Sequence, residues 1–257
     1  MNEAFDILYV VLPCYNEEDN ICDLILSWEA AVDRLLEKNI SLRLIAVNDG
    51  SKDNTLKIVT ELEKTYDNIT ALNHETNMGL GEAINTGINY ALSTHKGKFL
   101  CIMDSDSTHS PEYIYDMIDK LKNEKLDCVI ASRYREGSRI EGVPFIRKFL
   151  SYGARFIYTL FLRVPGVRDY TCGYRLYRIT ALKKLSKKYG KKLVNESGFA
   201  CMMELIYKIH SEGFKIGEIP FVLKYQLKGG QSKMKVFNTI FRSLAAVKNL
   251  LLYVSHK

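Results

Sequence analysis

The chain has 257 residues with 36 Lys and Arg against 30 Asp and Glu, a net charge of +6; 47% of residues are hydrophobic and 26% charged. This ordinary globular balance can bury a real core and suits one large α/β domain with at most a small appended segment. No stretch approaches the roughly 20 uninterrupted apolar residues that a membrane span needs. The acidic start, running straight into a strand, lacks the basic region of a signal peptide, so a cytoplasmic protein is expected.

The cysteines Cys14, Cys22, Cys101, Cys128, Cys172 and Cys201 form no CxxC pair, and several sit in apolar strand-like runs. Reduced thiols, not a zinc site or disulfide framework, are expected. Between Arg133 and Lys192 the many Lys and Arg are opposed only by Glu136, Glu141 and Asp169. Such a block suits phosphates, whether of a nucleotide diphosphate, a nucleic acid or an anionic membrane surface.

Along the first half, strand and helix signals alternate. Residues 7–12 are a short apolar run rich in β-branched residues and stopped by Pro13. Ile21, Leu24, Ile25, Trp28 and Leu35 then recur at helical spacing over residues 17–37. A second strand at 42–47 closes on Asn48-Asp49-Gly50-Ser51, and Asp53 caps a helix running to about Tyr66. A strand at 69–72, a helix at 81–93 and a strand at 98–103 follow. Next come a helix at 111–123 with proline in its first turn and a fifth strand at 128–131. Strands separated by crossover helices predict a mostly parallel sheet with helices on both faces.

The second half reads differently. Residues 145–162 predict an amphipathic helix, with Phe145, Phe149, Phe156 and Leu160 on one face and Arg147, Ser151 and Arg155 every fourth residue along another. A helix within 195–213 and a strand at 216–222 follow. The stripe Phe237, Ile240, Phe241, Leu244 and Leu251 predicts a C-terminal amphipathic segment. The expected division is one α/β unit over 1–234, including the 145–162 helix, and a helical segment over 235–257.

Ligands of open α/β sheets bind beyond the carboxyl ends of the strands, where this sequence keeps its unusual residues. There is no GxGxxG after the first strand and no phosphate-binding Gly-x-x-x-x-Gly-Lys-Ser/Thr loop. Instead Pro13-Cys14-Tyr15-Asn16-Glu17 offers a strand stop, an aromatic that can stack on a base and an acid that complements a helix dipole. Asp49 can accept a hydrogen bond from a nucleobase imino group or a ribose, or serve as a turn residue beside Gly50. In Asp104-Ser105-Asp106 two carboxylates flank a residue that turns away, a pattern that suits Mg²⁺ or Mn²⁺ shared with substrate phosphates. Taken alone, an Asp-x-Asp is better read as a polar turn that starts a helix.

In combination these segments resemble a known family. "VVLPCYNEEDNI", "IAVNDGSKDNT", "NMGLGEAINTGINYAL" and "IMDSDSTHSPEYI" have the order and spacing of family 2 glycosyltransferases with the GT-A fold, a Rossmann-like α/β sheet flanked by helices. "SRYREGSRIEGVPFIRKFLSYGARFIYTLFL", "VRDYTCGYRLYR" and "GGQSKM" resemble more specifically the dolichol-phosphate mannose synthases and related polyprenyl-phosphate sugar transferases. The resemblance runs from about Leu8 to Met234.

It implies that Pro13, Tyr15, Glu17, Val47 and Asp49 line a nucleoside pocket. Asp104, Ser105 and Asp106 would form the diphosphate site, its two carboxylates holding Mg²⁺ or Mn²⁺. Arg133 and Lys233 would complete the phosphate cradle, so that Asp104, Asp106 and Arg133 carry catalysis. Arg147 and Ser151 match positions that hold an acceptor phosphate, and the helical spacing puts them a turn apart on one face. The implied reaction moves a hexose, from a GDP-mannose or UDP-glucose type donor, to a polyprenyl or dolichyl phosphate with inversion. A hydroxyl acceptor and a non-catalytic phosphate-binding adaptor are the alternatives; nucleic acid is not an expected partner.

A lipid acceptor implies peripheral contact at the cytoplasmic face of a membrane, through the 145–162 helix, the C-terminal segment or a membrane partner protein. The sequence departs from the family at Asn48, often Asp, at Thr108, where mannose synthases present a glutamine to the metal, and at Leu227, where an arginine is expected.

Overall fold

The computed structural model describes residues 5–143, 145–198, 200–224 and 247, and within the helix at Phe145–Leu162 it does not describe the side chains of residues 145–151 and 154. Its strands are β1 (Asp6–Cys14), β2 (Ile40–Asp49), β3 (Ile69–His74), β4 (Gly97–Ile102), β5 (Cys128–Ser132), β6 (Arg139–Glu141), β7 (Arg175–Arg178), β8 (Ile216–Pro220) and β9 (Val222–Lys224). The helices are α1 (Ile21–Glu29), α2 (Val32–Glu37), α3 (Thr55–Thr65), α4 (Leu80–Ser93), α5 (Tyr113–Asn123), α6 (Phe145–Leu162), α7 (Ile179–Tyr189) and α8 (Ala200–Ser211).

Seven strands form one sheet in the order β3-β2-β1-β4-β7-β5-β8, and β6 pairs with β9 in a small parallel ribbon. Residues 8–12 of β1 and 44–47 of β2 are buried throughout. They read as continuous apolar runs because both faces of a parallel sheet are covered. The helices fall into two groups: α4 packs on β1 and β2 and touches α7, which touches α8, whereas α5 lies on β5 and β8. On the α5 side, Arg34 and Lys38 reach Glu112 and Asp119 at 3.0 and 2.9 Å.

The expected α/β architecture is present, with one reversal. β7 runs antiparallel between β4 and β5, a strand that the sequence pattern did not predict. Its four residues are too short to alternate visibly, and no hairpin turn announces it. The helix after it, α7, carries Ile179, Leu182 and Leu185 at helical spacing, all buried. That signal was available in the sequence.

Two further differences are local. The single helix expected over 17–37 is two, because Ala31 N–H donates to Trp28 O in a tight turn while Ala30 N–H bonds Leu26 O. Two alanines, strong helix formers, give no hint of such a break. The expected strand at 216–222 is split at Phe221 between the main sheet and the ribbon. The boundary proposed at 234/235 lies outside the described residues.

Helix α4 approaches the sheet through Gly87, where an added Cβ would lie 2.3 Å from Val11 Cγ1 at the sheet centre. Gly87→Ala should therefore destabilise the fold by roughly 1–3 kcal/mol through overpacking, despite the better helix propensity of alanine. Urea unfolding monitored by circular dichroism checks this; a more stable variant would show that Val11 yields freely.

Candidate functional site

The parallel strands β1, β2, β4 and β5 all end at one edge of the sheet, and antiparallel β7 begins there. Reversal thus brings the 169–173 loop to the edge that carries the loops after Cys14, Asp49, Ile102 and Ser132.

The loops after β1 and β2 are tied to each other. Asn16, at φ +55°, donates its N–H to Ser51 Oγ and receives Lys52 N–H on Oδ1, at 3.0 and 2.8 Å. Glu17 N–H donates to Thr55 Oγ1 and Glu18 N–H to Asp53 Oδ2. In return Asn54 N–H donates to Glu18 Oε2. Asp53 also accepts Thr55 N–H, at the start of α3. Burial opposes ionisation of Asp53, but its bonds to Thr55 and the backbone of Glu18 win and hold its pKa down. Pro13, Tyr15 and Glu17 are partly exposed beside this clamp, whereas the Val47 side chain is wholly in the core.

Asp49 is buried at the end of β2. Its Oδ1 contacts His74 Nδ1 at 2.8 Å and accepts Met78 N–H at 2.9 Å, while Oδ2 accepts Gly79 N–H at 2.8 Å. His74 Nε2 in turn lies 2.9 Å from Thr86 Oγ1. Asp49 therefore fixes the entry to α4 in addition to standing at the sheet edge. Asn48, the departure beside it, uses its amide on Asn73 and accepts Ser51 N–H.

Beyond β4 the carboxylates are packed from below and behind. Ser105 is buried and Cys14 Sγ lies 3.5 Å from its Oγ. Burial pushes the Cys14 thiol up to about 12, against the Ser105 hydrogen bond, so it stays protonated. Asp106 Oδ1 accepts both the N–H and hydroxyl of Thr108, at 3.3 and 2.6 Å. Ser107 takes φ +59° to allow that turn. The Asp104 side chain is 24% exposed. It fits only because residue 173 is glycine: an added Cβ there would lie 2.3 Å from Asp104 Oδ1. His109, buried against Tyr174 and Phe221, has Nδ1 4.0 Å from Asp104 Oδ2. Burial lowers the His109 pKa, with Asp104 and Asp106 opposing, and keeps it neutral at neutral pH.

Arg133 follows β5. Its Nε and Nη2 donate to Asp169 at 2.8 and 2.6 Å, and Nη2 also to Thr171 Oγ1 at 2.7 Å. Asp169 is wholly buried and accepts the N–H groups of Arg133 and Cys172 as well. Its own N–H and that of Arg168 are held by Glu218 Oε1, whose other oxygen pairs with Arg135 at 2.8 Å. Burial would raise the Asp169 pKa, but Arg133 overrides it and holds the carboxyl below its usual range. Sequence reasoning missed Asp169 as a site residue. The signal was its isolation, since a lone acid in a long basic block is a candidate buried partner.

Glu204, an acid on α8, is engaged internally. It is buried and accepts Asn195 N–H, Asn195 Nδ2, Glu196 N–H and Lys208 Nζ at 2.7–3.1 Å. Arg147 and Ser151 lie on α6 as expected, their side chains outside the described residues. Lys233 lies outside them altogether.

Asp169→Asn should leave the Arg133 guanidinium buried without a counter-charge and cost about 3–5 kcal/mol at neutral pH. Because the folded carboxyl titrates below its unfolded value, its contribution is complete above the ordinary carboxylate range and is lost as pH falls through the depressed value. The stability gap between wild type and variant, read by urea unfolding across pH, should therefore narrow in acid. A gap that stayed constant would contradict the ionised pair.

The family model "Glycosyl transferase family 2" matches residues 9–186. A dolichol-phosphate mannosyltransferase of Pyrococcus furiosus is 29% identical over 94% of this chain, which spans only 63% of that relative's length. A polyprenol monophosphomannose synthase of Mycolicibacterium smegmatis is 29% identical, covering 89% of this chain and 81% of the relative. A UDP-N-acetylglucosamine–dolichyl-phosphate N-acetylglucosaminyltransferase of Methanococcus voltae is also 29% identical, over 94% of this chain and 96% of the relative. Among solved structures, S. aureus TarS 1–349 in complex with UDP-GlcNAc superposes with TM-score 0.57 at 18% identity, covering 95% of this chain and 66% of that one. The Pyrobaculum calidifontis mannosyltransferase PcManGT, solved with GDP-Man and Mn²⁺, gives 0.56 at 15% identity, covering 99% and 76%. At such identities the structures establish the shared GT-A fold, which the sequence resemblance implied. The matched family region holds most of β1, every strand from β2 to β7 and the loops that carry Asp49, Asp104, Asp106 and Arg133, so this chain belongs to glycosyl transferase family 2.

Proposed function

We propose that the chain is an inverting glycosyltransferase that moves a hexose from a nucleotide-sugar donor to a polyprenyl phosphate. The observation that carries the donor half is the convergence at one sheet edge of the braced 14–17 and 48–51 loops, the Asp104–Asp106 pair and Arg133. The relatives' names supply the acceptor half, since all three act on a polyprenyl or dolichyl phosphate. Two of those names specify mannose and one N-acetylglucosamine, so the acceptor class is the shared element.

In this reading Tyr15 stacks on the base, Pro13 and Glu17 flank it, and Val47 packs beneath. The Asp49 contact to the base would use Oδ2, which receives one internal donor where Oδ1 has two partners. Ser105 anchors the turn from below. Arg133 offers the diphosphate the Nη1 edge of a guanidinium whose other donors are locked to Asp169 and Thr171. Lys233 would close the cradle, and Arg147 with Ser151 would bind the acceptor phosphate.

The residues present fit a divalent cation. Asp104 and Asp106 are hard oxygen donors two residues apart, and Gly173 leaves room around the Asp104 carboxylate. The Thr108 hydroxyl donates to Asp106 at 2.6 Å and so orients that carboxylate. No group of three or more His, Cys, Asp and Glu forms a metal cluster among the described residues, so the diphosphate and water must complete the shell. Mg²⁺ or Mn²⁺ bound here would neutralise charge on the departing diphosphate.

The protein's own part is alignment and electrostatics. A lipid phosphate is already anionic at neutral pH, so its oxygen attacks the anomeric carbon without a strong base, while the bond to the diphosphate breaks on the opposite side. Engagement of Glu204 by four internal donors agrees with a site that needs no general base.

No helix among the described residues is long and apolar enough to cross a membrane. On α6, however, Tyr152, Phe156, Leu160 and Phe161 expose between 48% and 70% of their surface. The helix carries no acidic residue, a composition that suits peripheral contact with an anionic bilayer at its cytoplasmic face.

Asp104→Asn and Asp106→Asn should each lower turnover of a matched nucleotide sugar by about 10²–10³-fold while leaving the circular dichroism spectrum intact. Full activity in both variants would remove the carboxylate pair, and with it the metal, from the reaction.

A further inference from the structure

Four buried side-chain polar atoms among the described residues have no hydrogen-bond partner, and one of them, His109 Nδ1, lies at the proposed donor site. Its side chain is only 4% exposed, yet Nδ1 faces Asp104 Oδ2 across 4.0 Å. That gap is too long for a hydrogen bond and too short to admit a water between them. An orphaned buried nitrogen costs free energy of the order of a lost hydrogen bond, and such a group asks for an explanation.

The imidazole cannot simply swing away. Phe221 meets it edge-on at a centroid distance of 5.0 Å, Tyr174 is tilted over it at 5.7 Å, and Tyr174 and Phe221 also contact each other. Two residues upstream, the Thr108–Asp106 turn fixes the backbone that delivers it. Asp104, whose side chain is 24% exposed, is the partner that closes the gap.

We infer that His109 is a positioning residue for the Asp104 carboxylate: its Nδ1–H closes on Asp104 Oδ2 when a divalent cation engages the carboxylate. Carboxylates that ligate metals are themselves held by outer hydrogen bonds, and these partners tune affinity nearly as strongly as the ligands do. Here the need is greater, because no group of three or more His, Cys, Asp and Glu gathers among the described residues and the proposed ligands are two carboxylates. The imidazole acts from outside the coordination shell; a fixed donor on one oxygen leaves the other to the cation. The inference rests on the Asp104–Asp106 site proposed above.

The test is Mn²⁺ binding to the whole chain, followed by electron paramagnetic resonance with saturating GDP or UDP and no sugar donor, so that turnover plays no part. His109→Phe keeps the ring packing and removes the donor, whereas His109→Asn keeps an N–H near the Nδ1 position. Expected are a Mn²⁺ affinity about tenfold weaker for His109→Phe and within about threefold of wild type for His109→Asn, the size typical of outer-shell partners. Nucleotide binding without metal should be unchanged in both. If His109→Phe fails to fold, His109→Gln replaces it: its N–H lies at the Nε2 position, and the same weakening is expected.

Wild-type affinity in the donor-free variant, or equal loss in His109→Asn, would overturn the role, as would a directly bound ¹⁴N in the wild-type Mn²⁺ spectrum. Asp104→Asn, run beside them, separates the two claims. If it too binds Mn²⁺ normally, the carboxylate site itself is wrong; if it alone loses Mn²⁺, the site stands and the inference about His109 falls.

Discussion

The buried Asp169 carboxylate, paired with Arg133, is the interaction on which the Arg133 side of the sheet edge depends. It sits in the loop before the one reversed strand, and it gathers the backbone and guanidinium of Arg133, the hydroxyl-bearing 171 position and the N–H of Cys172. Glu218, from the far edge of the sheet, holds the backbone of Arg168 and Asp169 in turn. A buried ion pair of this kind is weak evidence for stability but strong evidence for geometry, because breaking one partner strands the other. The same loop continues to Gly173, whose missing side chain seats Asp104. One short segment thereby sets both the cationic and the anionic halves of the proposed donor site.

That arrangement explains how a chain with little apparent acid–base equipment fits a group-transfer role. The polar groups at the sheet edge are largely spent on one another: Glu18 on Asn54, Asp49 on the start of α4, Glu204 on the 195–196 backbone. Such mutual satisfaction yields rigid walls, and rigid walls are what alignment and charge stabilisation require. An acceptor that arrives already ionised asks for little else.

Much of this was legible in the sequence. The parallel framework announced itself through apolar runs ending in polar turns, and the carboxylates after β2 and β4 were conspicuous as acids at strand ends. The helix at Phe145–Leu162 was delimited to the residue. Three features were not legible. Four residues of β7 between two loops carry no periodicity that distinguishes them from coil. The Ala30–Ala31 break occurs in residues that favour helix. The partners of Asp49 come from residues 74–79, about 30 positions away, so its service to the α4 entry exists only in three dimensions. Spacing singled out the acids at the strand ends; it could not say which were already engaged.

The claim that most needs direct contact with experiment is the acceptor. Incubating the chain with Mn²⁺ or Mg²⁺, a panel of radiolabelled GDP- and UDP-sugars and a short polyprenyl phosphate, then partitioning into organic solvent, measures it in one step. The account predicts a metal-dependent, acid-labile, lipid-extractable sugar product from one donor of the panel. Donor turnover with the label confined to the aqueous phase would contradict it and assign the sugar to a different acceptor.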